Sequence, residues 1–318
     1  MQTIGTWWMW SGFGVFVLAM LSTDMFALGR KGAHKVSAKE ALVWSLIWFS
    51  LALVFAAVLW TWLDHSAGRA IANAKTTEYL TGYLLEKTLA MDNIFVFVML
   101  FSYFAVPVAY QKRVLVYGVL GAIILRALMI LLGAWLIAKF HWVLYVFGAF
   151  LLITGIKMFV FADKEPNLAE NPLLVFLKKH MRITDQYHND KFWITKNGVL
   201  WFTPMFLVLV LVEFSDVIFA MDSIPAIFAI TSDPFIVFTS NIFAILGLRA
   251  LYFLLADMAD RFHLLKYGLA VVLMFVGTKM LIVEWLKIPV AVSLSVVVAV
   301  LGISILLSLK STRHAPSK

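Results

Sequence analysis

The sequence predicts an all-α, polytopic helical membrane protein of about nine transmembrane helices, containing an inverted repeat of three helices. Three observations lead there. The 318 residues are 63% hydrophobic and only 14% charged, against about 45–50% and about 25% in soluble domains. Many apolar runs approach or exceed the ~20 residues a helix needs to cross a bilayer. The stretch Ala90-Met91-Asp92-Asn93-Ile94 also returns as Ala220-Met221-Asp222-Ser223-Ile224, each copy inside such a run. Backbone polar groups cannot stay unpaired in lipid, so the runs are helices, or helices broken where protein surrounds them.

Residues 1–77 hold two spans, 7–28 and 41–63. Trp7, Trp8 and Trp10 read as an aromatic belt at the outer interface. Residues 1–6 carry no basic side chain, whereas Arg30, Lys31 and Lys35 follow the first run. That order suits an anchor with its N-terminus outside and not a cleavable signal. Residues 78–161 form repeat A, with spans 78–106, 114–138 and 142–161. Residues 162–200 are a cytoplasmic loop, in which Pro172–Lys179 reads either as an amphipathic helix at the membrane surface or as a solvated connector. Residues 201–286 form repeat B, with spans 201–231, 235–256 and 265–286, and residues 287–318 hold the last span, 289–309, and a cytoplasmic tail. With this threading the inner loops and tail carry 17 lysines and arginines and the outer loops 4, the bias the positive-inside rule demands. The net charge of +8 follows from that bias. No basic cluster interleaves with aromatics as a nucleic-acid groove would require.

The repeat extends beyond the pentapeptide. Leu125-Arg126-Ala127-Leu128 reappears as Leu248-Arg249-Ala250-Leu251, and Gly155-Ile156-Lys157-Met158 as Gly277-Thr278-Lys279-Met280. Three spans is an odd number, so the copies face opposite ways across the bilayer. Inverted repeats are an architecture of secondary transporters, whose site lies near the midplane where the copies meet.

The membrane-embedded charges are the candidates for chemistry, because each costs at least about 2.5–3.5 kcal/mol to insert at the bilayer centre. They are Asp24, Glu86, Lys87, Asp92, Arg126, Lys157, Glu213, Asp216, Asp222, Arg249 and Lys279. All seven histidines fall in loops or tails and there is no cysteine. The core therefore offers oxygen ligands, which suit Mg²⁺, Ca²⁺ and Mn²⁺ better than zinc, copper or nickel. Glu86 and Asp92 lie six apart, ~120° around and ~9 Å along a straight helix, so they cannot share one ion there. Glu213 and Asp216, three apart, share a face. Asp222 joins them only through a helix break, which Pro225 is expected to supply by freeing the carbonyl of Met221. The expected metal site is thus Glu86, Asp92, Asn93, Glu213, Asp216, Asp222 and Ser223, assembled across the repeat interface. Asp24 would line the path or the site. Lys87, Arg126, Lys157, Arg249 and Lys279 would balance charge. Met91 and Met221 are either thioether ligands favouring a transition metal such as Mn²⁺ or flexible packing.

Rival readings are a non-transporting membrane scaffold working through the 162–200 loop, structural ion pairing of the acids, and an intramembrane aspartyl protease. The last lacks a Gly-x-Gly-Asp string. No Gly-x-x-x-x-Gly-Lys-Ser/Thr loop is present for nucleotide-driven pumping, and no enzyme activity or resident cofactor is expected.

The strings Glu86-Lys87-Thr88-Leu89-Ala90-Met91-Asp92-Asn93, Glu213 to Ala226 and Thr239 to Arg249 resemble the TerC family of bacterial integral membrane proteins, in its alkali-inducible branch. The resemblance covers nearly the whole chain. It implies a multi-pass inner-membrane protein that exports manganese, is linked to alkaline and metal stress, and depends on Glu86, Asp92, Glu213, Asp216 and Asp222. The expected partners are then Mn²⁺ or another divalent cation, protons and the lipid bilayer.

Overall fold

The computed structural model describes residues 3–31, 38–140, 142–160, 171–255, 264–286 and 288–313. Lys35, Lys164, Arg261, Lys287 and Lys318, which entered the loop-charge comparison, lie outside the described residues. Among the described residues are eleven helices and one β-hairpin: α1 (Trp7–Lys31), α2 (Ala38–Ser66), α3 (Arg69–Tyr103), α4 (Val108–Lys139), α5 (Val143–Val160), α6 (Pro172–His180), β1 (Trp193–Lys196), β2 (Val199–Phe202), α7 (Pro204–Phe228), α8 (Pro234–Leu246), α9 (Leu248–Leu255), α10 (Leu265–Leu281) and α11 (Val290–Arg313). Among the described residues six stretches, the joined α8–α9 included, are long and apolar enough to cross a membrane. The helix list is consistent with nine crossings.

Local chemistry sets the boundaries. α3 starts well before its apolar stretch, because Arg69-Ala70-Ile71-Ala72-Asn73-Ala74-Lys75 is mostly good helix former. It starts after Gly68, whose φ of 90° only glycine adopts freely. Asn171 caps α6 by accepting from Leu173 N at 3.0 Å, with Pro172 in the first turn. Asp233 caps α8 by accepting from Phe235 N at 3.0 Å, again ahead of a proline. The start of the sixth predicted span is corrected. Trp201 and Phe202 belong to β2, paired antiparallel with β1 through an Asn197-Gly198 turn in which both residues have positive φ. α6 is helical, as the first reading of its segment holds, but packs Leu174 and Leu177 into the protein.

The expected helix break at Pro225 is corrected. α7 runs unbroken from Pro204 to Phe228 with Pro225 inside it. The lost hydrogen bond falls near its end, where the turn is already closing. The interruption sits in the next span, where Gly247 separates α8 from α9. A Cβ there would lie 2.5 Å from Lys87 Nζ and 3.2 Å from Trp48 Cβ, so a side chain fits only if both give way.

The packing is reciprocal, in keeping with two related halves. α3 packs on α8 while α4 packs on α7, and α5 packs along α10. On the last interface Gly277 lies against Leu152 and Gly148, and Gly155 against Ala270 and Met274. The sequence repeat equates Gly155 with Gly277 and Gly148 with Ala270, so each contact is the other's mirror. Glycine on both sides lets the backbones touch, as small-residue packing in membranes requires. Outward, Leu128, Leu131, Leu132, Ile153 and Leu306 are all more than half exposed, a band that suits lipid and not water.

Polar ties mark the two ends. At one, Asp233 accepts from Thr3 Oγ1 (2.8 Å) and Ile4 N (2.9 Å), and Glu78 accepts from Lys75 Nζ (2.8 Å) and Thr231 Oγ1 (2.5 Å). At the other, Tyr187 Oη donates to Phe104 O at 2.7 Å and Arg113 pairs with Asp190 at 2.5 Å. The segment Asn171–Phe202 therefore folds against the turn between α3 and α4.

Candidate functional site

Glu86 is the middle residue of α3, and Asp216 is the middle residue of α7. In the sequence repeat the two occupy equivalent positions, 130 residues apart. Crossing α4 brings Arg126 between them. A long helical side chain reaches back toward its own N-terminus, and here the guanidinium ends in a pocket closed to solvent: Glu86 is 0% exposed, Arg126 1% and Asp216 3%.

The guanidinium fork meets acceptors from both halves. Arg126 Nη2 donates to Asp216 Oδ1 at 2.9 Å and Nε to Oδ2 at 3.2 Å, the bidentate geometry in which arginine is strongest. Nη1 pairs with Glu86 Oε1. Nη1 also donates to Asn241 Oδ1 at 2.8 Å and Ser223 Oγ at 3.4 Å. Asn93 Nδ2 donates to Asp216 Oδ1 at 3.2 Å, and Asn241 Nδ2 to Glu86 Oε2 at 3.5 Å. Asn93, Ser223 and Asn241 are themselves buried. Asn93 Oδ1 and Glu213 Oε2 are buried without a hydrogen-bond partner among the described residues. Removing one partner of a buried pair leaves a charge uncompensated and costs about 3–5 kcal/mol, so the network holds together only as a unit.

The predicted residues therefore separate. Glu86, Asn93, Arg126, Asp216 and Ser223 converge. Glu213 is one turn away, half-buried against Gly121 of α4, where a Cβ would run into its carboxylate. Asp222 does not join them. With α7 unbroken it points to α5, where Thr154 hydrogen-bonds its side chain. Met221 turns outward, half exposed, into an apolar groove of about 340 Å³ lined by Met129, Phe147, Ile224 and Pro225. Lys157 is exposed, and Lys279 donates to Ser293 Oγ at 2.9 Å, away from the acids. Lys87 Nζ donates to Ala244 O at 3.2 Å, a cation at the carbonyl end of α8. Arg249 is half-buried in α9. The side chains of Asp24, Met91 and Asp92 lie outside the described residues. Among the described residues no three acids or histidines gather closely enough to hold a metal by themselves. Asn241 is the participant that sequence reasoning missed. Its signal was an amide in the middle of a predicted span, inside the string Thr239–Arg249.

Fold and site together define a polytopic helical membrane protein with a buried ionic centre where α3, α4, α7 and α8 meet. Residues 71–315 match the family described as "Integral membrane protein TerC family", and the chain belongs to that family. It is 56% identical over 308 residues to the Escherichia coli K12 protein named "Putative membrane-bound redox modulator Alx", spanning 97% of this chain and 96% of that one. A protein of the same name from Photorhabdus laumondii is 52% identical over the same shares. "Uncharacterized membrane protein STKORF319" of Myxococcus xanthus is 50% identical over 315 residues, 99% of this chain and 96% of its own. No solved structure matches.

Proposed function

We propose that this protein is a secondary transporter that exports Mn²⁺ from the cytoplasm in exchange for protons. The observation that carries the reading is the meeting of Glu86 and Asp216, repeat-equivalent acids at mid-helix, in one buried polar pocket. Carboxylate, amide and hydroxyl oxygens from Glu86, Asp216, Asn93, Ser223 and Asn241 are the donor types a hard divalent ion accepts. Glu213, Asp92 and Asp222 are stations on its path. Rocking of one half against the other about the α5–α10 glycine seam would open the pocket to each side in turn. Carboxylates vacated by the ion would take up protons, which couples flux to pH through competition for the same oxygens. In this reading the Thr3–Asp233 end faces outward and the α6–hairpin end faces the cytoplasm.

The relatives' name speaks of redox. With no cysteine in the sequence, thiol–disulfide exchange on this chain's own side chains has no substrate. A redox effect would follow from the metal it moves.

The test is a proteoliposome assay of the purified chain with a Mn²⁺-sensitive dye and an imposed pH gradient. The wild type should show gradient-driven flux that Glu86→Gln and Asp216→Asn each abolish. Absence of wild-type flux, or flux indifferent to both changes, refutes the reading. Complementation of a metal-stress phenotype by those same variants would instead favour a scaffold.

A further inference from the structure

We infer that Arg126 is a tethered counter-cation, holding the place between Glu86 and Asp216 that the transported ion must take, and that this competition selects divalent over monovalent cations. The inference rests on the transport reading above and names how its site is regulated.

Three features of the pocket carry it. First, the guanidinium occupies the point of convergence itself. It binds a carboxylate from each half at once, two-pronged on Asp216 and through Nη1 on Glu86, so an ion that bridges those oxygens has to displace it. Second, the occupied pocket still holds an oxygen that the guanidinium does not satisfy. Asn93 is 1% exposed, gives its amide hydrogen to Asp216, and has no partner for Oδ1 among the described residues. A buried acceptor without a donor costs free energy. A metal ion at the Asp216 carboxylate would supply what that oxygen lacks. Third, the arginine has neutral moorings. Asn241 Oδ1 and Ser223 Oγ both accept from Nη1, so the guanidinium keeps hydrogen bonds when the carboxylates leave it.

Charge decides which ion wins. Glu86, Asp216 and Arg126 sum to a single negative charge. A monovalent ion that takes the arginine's place brings the same single charge without the fork geometry that matches a carboxylate bidentately. A divalent ion brings twice the charge to the same two oxygens. The guanidinium thus acts as a threshold that Na⁺ and K⁺ do not clear.

The experiment is equilibrium binding of Mn²⁺ to the purified full chain in detergent, free ion being read by electron paramagnetic resonance. Wild type, Arg126→Ala and Arg126→Lys are compared, with guanidinium chloride and Na⁺ as added competitors. Arg126→Ala should bind Mn²⁺ about tenfold tighter than wild type or better, a difference of ~1.4 kcal/mol. Millimolar guanidinium, far below denaturing levels, should enter the vacated space and weaken Mn²⁺ binding to Arg126→Ala while leaving the wild type unaffected. Na⁺ in large excess should do the same. Arg126→Lys keeps the charge but loses the fork, so it should fall between the two, and it carries the test if the alanine variant does not fold. Well-folded variants that bind Mn²⁺ no tighter than wild type overturn the proposal. So does a tight variant indifferent to guanidinium. Binding that is absent in the wild type and in both folded variants defeats the transport reading itself, whereas wild-type binding that Arg126 does not modulate defeats only this inference.

Discussion

Gly277→Ala puts a methyl group where α10 meets α5. Its Cβ would lie 2.6 Å from Leu152 N, 2.7 Å from Gly148 O and 3.1 Å from Leu152 Cα. All three are backbone atoms of a packed helix, so no rotamer change relieves them. The nearest is about 0.8 Å inside the 3.4 Å where ordinary contact begins. α5 and α10 must move apart by roughly that much along the seam. A gap of 0.5–1 Å forfeits about a quarter to a half of each dispersion contact, and overpacking of this kind costs ~1–3 kcal/mol. Alanine's better helix propensity offsets up to ~1 kcal/mol of that. Gly302→Ala in α11 isolates the packing contribution, because a Cβ there meets nothing within 4 Å. The propensity gain is common to both variants, so the difference between them should be about 2–3 kcal/mol, the upper part of the overpacking range. Unfolding of the purified protein in mixed micelles of rising dodecyl sulfate fraction, followed by tryptophan fluorescence, measures it. Gly277→Ala should unfold earlier than wild type and Gly302→Ala at the same point or later. Equal behaviour of the two variants would refute the claim that backbone contact between the halves holds the seam.

Three further outcomes follow from single residues. Asn241→Ala leaves a buried guanidinium N–H without its 2.8 Å acceptor and should cost ~1–3 kcal/mol in the same unfolding assay. Asp233→Ala removes the acceptor for Thr3, Ile4 and Phe235 together; it should cost ~1 kcal/mol for the lost cap of α8 and expose the N-terminus to faster proteolytic trimming in detergent. Tyr187, whose phenol donates to Phe104 O, is pushed up to about 12 by burial. Its proton is held more tightly in the folded loop than in the unfolded chain, so its stabilising contribution is complete below about pH 10 and is lost as pH rises toward 12. Tyr187→Phe should flatten that alkaline loss in a melt of the wild-type and variant proteins across the window.

The membrane spans were legible because a crossing helix needs a long apolar run, and α2, α4 and α11 are dominated by one. The same signal hid what is not apolar. The first two turns of α3 were missed because Arg69–Thr76 favours helix without favouring lipid. The hairpin was missed because Trp201 and Phe202 merged with the run that follows, although Asn197-Gly198 marks the turn. The helix break was placed at Pro225 when it falls at Gly247. Proline is the visible breaker, whereas Gly247 answers to Lys87 and Trp48, which arrive from distant segments. At the site, repetition in the sequence singled out Glu86, Asn93, Asp216 and Ser223. It could not show that Arg126 joins them at the centre, since that depends on where α4 crosses both halves. Nor could it show that Asp222 turns to Thr154, which follows from α7 staying straight.

Anomalous diffraction from crystals of the protein soaked in Mn²⁺, recorded at the manganese edge, tests the central claim most directly. One strong peak is expected between the carboxylates of Glu86 and Asp216, within reach of Asn93 Oδ1, with the Arg126 guanidinium drawn back toward Asn241 and Ser223. A pocket that keeps its arginine in place while manganese binds elsewhere, or nowhere, would contradict it.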